Sequence, residues 1–249
     1  MHQPQAPLFK QQVLMIGNAH GGPPFWYEIL REDMNPENIR RALLFVGCLG
    51  AHGCEEAVRN KLHHPDSRVR SWACFAAGEL HDEEARATVR TLMADSSARV
   101  RRHARHALVS LDSGGSRPPS RHVAAPSEDA LLLISDDSGR MQDQLASVLR
   151  PKGFRLAFAS SEDETCEMAA RLWPWAVITD NQKGRDNLSG LRMTQRLSSA
   201  PGQRETIVFM MSADFVEGAF LWNGGDVYLP KTGPALQPLV SALEDYLVL

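Results

Sequence analysis

Cysteine is scarce and is never spaced as a disulfide framework or a zinc ribbon requires. Cys48, Cys54, Cys74 and Cys166 are the only four in 249 residues, and no two form a CxxC. They read as reduced thiols, with no disulfide scaffold behind them. Long apolar runs are also missing: the longest, ALLFVGCLGA, is too short to span a bilayer. No secretory leader is expected ahead of the fold. Net charge is −3 and the pI is near 6.3, so there is no global attraction to nucleic acid or to an anionic membrane. The expectation is a cytoplasmic protein without a membrane partner, long enough for two modest domains.

Composition divides the chain. Residues 1–113 hold 14 Lys/Arg against 13 Asp/Glu, whereas residues 122–249 hold 11 against 17. Eight of the nine histidines precede Ser113. Between the halves, Ser113–Glu128 reads SGGSRPPSRHVAAPSE, where Gly, Pro and Ser supply no apolar face and block regular structure. This predicts a domain at 4–113, a flexible linker at 114–127 and a second domain at 128–249.

The first domain repeats itself. HPDSRVRSWACFAAGEL from His64 superposes on ADSSARVRRHARHALVSL from Ala94 with a shift of 31, matching Val69 with Val100, Arg70 with Arg101, Ala73 with Ala104 and Leu80 with Leu111. The same shift carries Gly47 onto Gly78 and Val58 onto Val89. A period near 31 with two amphipathic helices per unit predicts an all-α solenoid. Its small residues (Ala42, Ala73, Ala76, Ala77, Ala104, Ala107) belong where neighbouring helices approach closely. The pattern of a turn, then V-R-x-x-A-x-x-A, then a small residue resembles HEAT repeats, in about three and a half units over residues 4–111.

The repeated arginines are expected to bond turn carboxylates such as Asp66 and Asp95 along the stack. The alternative is a basic surface of Arg99, Arg101, Arg102, Arg105, His103 and His106 facing an acidic partner or nucleic acid. Cys48, His52 and Cys54 cluster, and His103 and His106 stand three apart, but no four-ligand metal set of familiar spacing emerges. Cys48 is expected to point inward.

In the second domain, three apolar runs each end in a polar residue. ALLLIS runs into Asp136 and Asp137, WAVIT into Asp180, TIVFMM into Ser212, and a shorter stretch, DVYLP, runs into Lys231. Apolar runs of this length predict strands covered on both faces, and the intervals suit crossover helices, giving a parallel sheet. Ligands bind at the carboxyl edge of such sheets, so these residues should converge in one cleft. Strands are expected at 130–135, 154–159, 175–179, 205–211 and 226–230, and helices at 139–150, 161–171, 188–198, 213–222 and 234–247.

This half resembles the receiver domain of two-component response regulators, which implies an α/β flavodoxin-like fold with a five-stranded parallel sheet. The resemblance makes Asp136 and Asp137 the acidic pair, Asp180 the phosphoacceptor, Ser212 and Lys231 the phosphate-binding residues and Tyr228 the switch aromatic. It implies Mg²⁺ held through Asp136, Asp137, Asp180 and the backbone carbonyl of Gln182, with Asp136 orienting coordinated waters. Three features depart from the family pattern. Asp180 is followed by NQKGRDNLSG rather than the usual Met-Pro loop, with Lys183 beside the acceptor and Gly190 about two residues late. Lys231 is followed by Thr232 rather than proline, and Pro230 precedes it. The short interval from Ser212 to Lys231 also trims the fourth helix.

The function expected is a phosphorylation-dependent regulator, not an enzyme. A histidine kinase or phosphotransfer protein would supply the phosphoryl group, and the HEAT-like scaffold would hold an unidentified protein partner. A homodimer through the fourth and fifth helices is consistent with the resemblance. The rival readings are a constitutive adaptor with a degenerate, non-phosphorylated receiver, and a nucleic-acid-binding solenoid under receiver control.

Overall fold

The structure is a computed structural model that describes residues 8–50, 52–112, 130–181, 188–200, 205–231 and 236–247. The chain separates into two compact units, with the division between residues 122 and 123. The expected linker at 114–127 lies outside the described residues. Among the described residues no helix is long and apolar enough to cross a membrane.

The first unit is helical throughout. It comprises α1 (Leu8–Ala19), α2 (Gly22–Glu32), α3 (Pro36–Leu49), α4 (Glu55–Lys61), α5 (Ser67–Glu79), α6 (Arg86–Thr91) and α7 (Ala98–Leu111), with single 3₁₀ turns flanking α6. Local chemistry sets the starts. The side chain of Asn35 accepts from the Glu37 N–H ahead of α3, and that of Asp66 accepts from the Arg68 N–H ahead of α5, each satisfying a donor the helix cannot use internally. Gly50, in the left-handed region, closes α3. Helices α1, α3, α5 and α7 pack successively in one layer, and α2, α4 and α6 each precede a member of it. That is three helix pairs and one unpaired helix, the three and a half units the repeat predicts.

The repeated positions form the core. Val69, Val100, Ala73 and Ala104 are wholly buried, and Leu80 and Leu111 nearly so. The close approach depends on glycine. A Cβ at Gly17 would stand 2.1 Å from the Phe45 ring, one at Gly47 2.6 Å from that of Phe75, and one at Gly78 2.8 Å from the Ala107 Cα. These glycines recur one period apart along the same layer, so the period is written in backbone clearance as well as in apolar residues.

Polar groups recur in step. Arg70 bonds both carboxylate oxygens of Asp95 at 2.9 and 3.0 Å, and its Nη1 donates to the carbonyls of His64 and Pro65. One period on, Arg101 donates to the carbonyls of Asp95 and Ser96. Arg59 grips Asp82 through two 2.9 Å bonds. Arg40, Arg68 and Arg99 are buried, and Glu37 lies 2.7 Å from Arg40, 3.4 Å from Arg41 and 3.7 Å from Arg68. Burial pushes the Glu37 carboxyl up, but the three guanidiniums outweigh it and leave it below its usual range. The arginines therefore bind the stack together, as the ladder expectation holds. Of the candidate basic surface, Arg99 is buried, Arg101 is spent on turn carbonyls, and the His103 Nδ1 turns inward to Ser71, 2.7 Å from its Oγ. Three of the six are thus turned to the stack itself.

The second unit alternates strand and helix: β1 (Leu131–Ser135), α8 (Gly139–Leu149), β2 (Arg155–Ala159), α9 (Glu162–Leu172), β3 (Ala176–Asp180), α10 (Ser189–Ser199), β4 (Ile207–Ser212), α11 (Glu217–Trp222), β5 (Val227–Pro230) and α12 (Gln237–Leu247). All pairings are parallel, in the order β2-β1-β3-β4-β5, the flavodoxin-like doubly wound order. The central strands are buried on both faces, and Ile134, Ile178, Phe209 and Val227 stand in register across the sheet. Arg196 ties α10 to Glu162 and Asp163 of α9, and the Ser198 hydroxyl donates to the Asn223 carbonyl after α11.

One element departs clearly from expectation. The fourth helix, expected over 213–222, begins only at Glu217. The backbone of residues 213–216 is instead committed to a turn: the Asp214 N–H donates to the Ser212 hydroxyl, and the Asp214 carbonyl accepts from Tyr228 and from the Val216 N–H. A carbonyl so engaged cannot start a helix there.

Two outcomes follow for the helical unit. Alanine at Gly78 gains about 1 kcal/mol of helix propensity but drives a methyl into the Ala107 backbone, which costs about 1–3 kcal/mol; Gly78→Ala should therefore lower the thermal unfolding midpoint of the full chain. His103 packs against Trp72 and Phe75. Burial, with Arg102 and other neighbouring cations, holds its pKa well below the ordinary value. The unfolded chain thus binds a proton that the folded one resists, so stability is full above about pH 6.5 and falls as pH drops toward the depressed value. Hydrogen exchange of α5 and α7 amides should accelerate at pH 5 relative to pH 7.5, after correction for intrinsic rates, and His103→Gln should flatten that dependence.

Candidate functional site at the carboxyl edge of the sheet

Because the strands are parallel, their carboxyl ends share one edge, and each delivers a polar residue there. Asp136 follows β1. Its N–H bonds the Ala159 carbonyl at 3.0 Å, its carboxylate accepts from the Ser138 N–H at 2.9 Å, and its carbonyl accepts from the Gln142 side chain at 2.7 Å. It is only 8% exposed. Burial raises the pKa of its carboxyl, and the Asp180 and Asp137 charges add to the rise, against the Ser138 amide and Lys231. Asp137, next along, is exposed.

Asp180 ends β3 and is half-buried, and the Lys231 ammonium stands 2.6 Å from its Oδ2. Pro230 has no N–H for the ladder, yet the next residue restores it: the Lys231 N–H donates to the Ser212 carbonyl at 2.8 Å. The strand edge therefore continues one residue past the proline and aims the lysine at Asp180. Asp136, Asp180, Met141, Met211 and Lys231 line one small cleft.

Gly190 brings α10 against this edge. Its amide bonds the Asn181 carbonyl, and a Cβ there would lie 2.4 Å from the Asp180 carbonyl oxygen. A glycine displaced in sequence still makes the close approach.

Ser212 is 1% exposed, and its hydroxyl accepts from the Asp214 N–H at 3.1 Å. Tyr228 is held by the turn after β4. Its hydroxyl already donates to the Asp214 carbonyl and lies 3.4 Å from that of Ser212, with its ring 6.5 Å from that of Phe220. Burial and the Glu217 charge raise its pKa. Asp136, Asp180 and Lys231 thus meet in the cleft, Asp137 stands at its rim, and Ser212 and Tyr228 meet at the adjoining loop. Gln182 and Lys183 lie outside the described residues.

Two residues at the site carried no sequence signal. Asn181, 1% exposed, donates from Nδ2 to the Asp214 carboxylate at 3.2 Å. Asp214 and Asn181 are 33 positions apart on different loops, and only the register of β3 against β4 brings them together.

The donor set suits a divalent cation. Among the described residues no group of three or more His, Cys, Asp or Glu side chains encloses a point as a metal cage. Mg²⁺, however, keeps several waters and takes only one or two carboxylates. Asp136, Asp137 and Asp180 bring three carboxylates to one edge against the single Lys231 ammonium, an excess of negative charge for which a hard cation is the natural counterion. The other candidate cluster has no such character. His52 pairs with Glu55 at 2.8 Å, and burial pushes the Cys48 and Cys54 thiols up to about 12 and about 11, so both are neutral thiols at neutral pH.

The helical pattern has a counterpart among known families. Residues 23–109 match HEAT repeats. The matched residues contain Gly47, Gly78, Arg59, Arg70 and Arg101 of the recurring positions, and leave out only Gly17. No curated protein matches the chain. Among solved structures, a protein of Chloroflexus aurantiacus described as a response regulator is 26% identical, covering 47% of this chain and 97% of its own, at a TM-score of 0.43. A chemotaxis response regulator of Vibrio cholerae is 17% identical over 47% of this chain and 98% of its own, at 0.43. A response regulator of Thermotoga maritima in complex with Mg²⁺ and beryllofluoride is 17% identical over 47% and 98%, at 0.42. The fold of the second unit rests on its own strand order and register.

The electrostatics give a test. Since the folded pKa of Asp136 lies above its unfolded value, its ionisation costs stability as pH rises through that pKa. Asp136→Asn keeps an acceptor for the Ser138 N–H and removes the charge. At pH 7 it should raise the unfolding midpoint of the sheet unit by a few degrees, about 0.5–1 kcal/mol, while weakening Mg²⁺ binding. At acid pH, where Asp136 is already protonated, the gain should vanish.

Proposed function

We propose that the second unit is a phosphoryl-accepting switch, with Asp180 as the acceptor, and that the HEAT unit carries the protein contact it controls. The observation that carries this reading is the 2.6 Å contact between the Lys231 ammonium and Asp180 Oδ2, at a sheet edge where Asp136 and Asp137 add further negative charge.

An aspartate accepts a phosphoryl group when one of its oxygens forms the new P–O bond as the bond to the donor breaks. The leaving imidazole of a phosphohistidine carries away the electron pair and takes up a proton. Repulsion between the carboxylate and the incoming oxygens opposes this. Lys231 offsets it by standing where an equatorial oxygen would come, and the Ser212 hydroxyl, one strand away, has a proton to give to another. Asp136, buried and bonded to Ser138, shapes the acidic floor beside Asp137. Mg²⁺, when bound there, would screen charge on the phosphoryl oxygens. In this reading the chain is a substrate of phosphoryl transfer rather than an enzyme. Its donor is a histidine kinase or phosphotransfer protein, and it works in the cytoplasm. The HEAT unit suits a protein partner, since its arginines are engaged within the stack.

Incubation with Mg²⁺ and acetyl phosphate or phosphoramidate should add the mass of one phosphate, stable to acid and labile to base. Asp180→Asn should abolish it, and Lys231→Ala should reduce its rate by about 100-fold or more, the scale of removing one charge-stabilising donor. Absence of any mass gain in the unaltered chain would overturn the reading.

A further inference from the structure

Three hydrogen bonds tie Asp214 to the ends of three strands. Its N–H donates to the Ser212 hydroxyl at 3.1 Å, its carbonyl accepts from the Tyr228 hydroxyl, and its carboxylate accepts from Asn181 Nδ2 at 3.2 Å. The first ties it to the end of β4, the second to β5, the third to the residue that follows Asp180. Asn181 is itself pinned from the other side, since its carbonyl accepts from the Gly190 N–H and the Ser189 hydroxyl at 3.2 Å each. The side chain of Asn181 is thus buried between the start of α10 and the turn after β4. The next residue along that turn, Phe215, is 75% exposed, so any change in the turn is presented directly to solvent.

We propose that the Asn181–Asp214 hydrogen bond is a latch that couples the acceptor strand to the turn after β4, with Asp214 as the positioning residue that holds Tyr228 in place. The coupling rests on the reading of Asp180 as the acceptor; the latch itself does not. Residue 181 follows Asp180 without an intervening bond of freedom beyond its own φ and ψ. A new group on the Asp180 carboxylate that shifts this backbone must therefore carry Asn181 with it or break the bond. Loss of the bond frees the Asp214 side chain, and with it the carbonyl that holds Tyr228, which turns a local event at β3 into a rearrangement around Phe215.

The test uses the polarity of the pair in the full chain, read by hydrogen exchange of residues 213–218. Asn181→Asp sets two carboxylates against each other and should speed exchange there about tenfold, the loss of one buried bond. The double variant N181D/D214N restores a donor facing an acceptor with the roles reversed and should bring exchange back to within about twofold of the unaltered chain, which mere loosening of the fold would not do. Unchanged exchange in Asn181→Asp, or no recovery in the double variant, overturns the latch. The coupling is read separately: with Mg²⁺ and beryllofluoride the unaltered chain should change its exchange at 213–218, and Asn181→Asp, compared at a beryllofluoride concentration that saturates it, should show less than half that change. Binding with an equal change in both chains overturns the coupling. Absence of any beryllofluoride binding by the unaltered chain counts against the acceptor reading, and leaves the latch to stand or fall on the first measurement.

Discussion

The 2.6 Å contact between the Lys231 ammonium and the Asp180 carboxylate sets one cation against the acidic end of the sheet, and the cleft is arranged around it. Much of the local architecture serves it. The parallel pairing of β4 and β5 sets the lysine one residue past Pro230, and the Lys231 N–H bond to Ser212 keeps it on the strand line. Asp136 is buried behind, where desolvation and the neighbouring charges raise its proton affinity. The site is thus held under electrostatic tension, favourable to cations and to groups that bring their own counterion. A well-paired, neutral cluster would have no such appetite.

The helical unit solves a different problem by repetition. Gly17 and Gly47 make room for a phenylalanine ring of the next helix in the layer and Gly78 for the Ala107 backbone, while Arg59, Arg70 and Arg101 satisfy turn carbonyls and carboxylates that the short helices cannot. Clearance and polar satisfaction recur with the same period, so each repeat supplies what its neighbour lacks. Arginines placed in this way are structural, and the charge they carry is largely answered within the stack.

Asn181, next after β3, is bonded into the turn after β4. Ser212, Asp214, Tyr228 and Asn181 share one set of hydrogen bonds, and those bonds are what shorten α11 to six residues. The turn that replaces the first part of that helix costs helical hydrogen bonds. In return it has an arrangement that depends on side chains from three strands at once, a more responsive element than a regular helix would be.

The sequence by itself determined the two-part division, the three and a half helical repeats, and the strands and their polar carboxyl ends. These follow from local information: apolar runs, a 31-residue period, and Gly and Pro punctuation, each of which acts within a few turns of chain. Asp136, Asp180, Ser212 and Lys231 were legible for the same reason, since each ends a strand. Only the tertiary structure decided how those ends engage. That Lys231 overcomes the proline before it, that Tyr228 is already bonded to Asp214, that α11 starts late, and that Asn181 belongs to the site all depend on contacts between residues 14 to 51 positions apart. Such contacts are set by strand register and by the desolvation of groups brought together in the fold, and neither quantity exists in a chain until the sheet has formed.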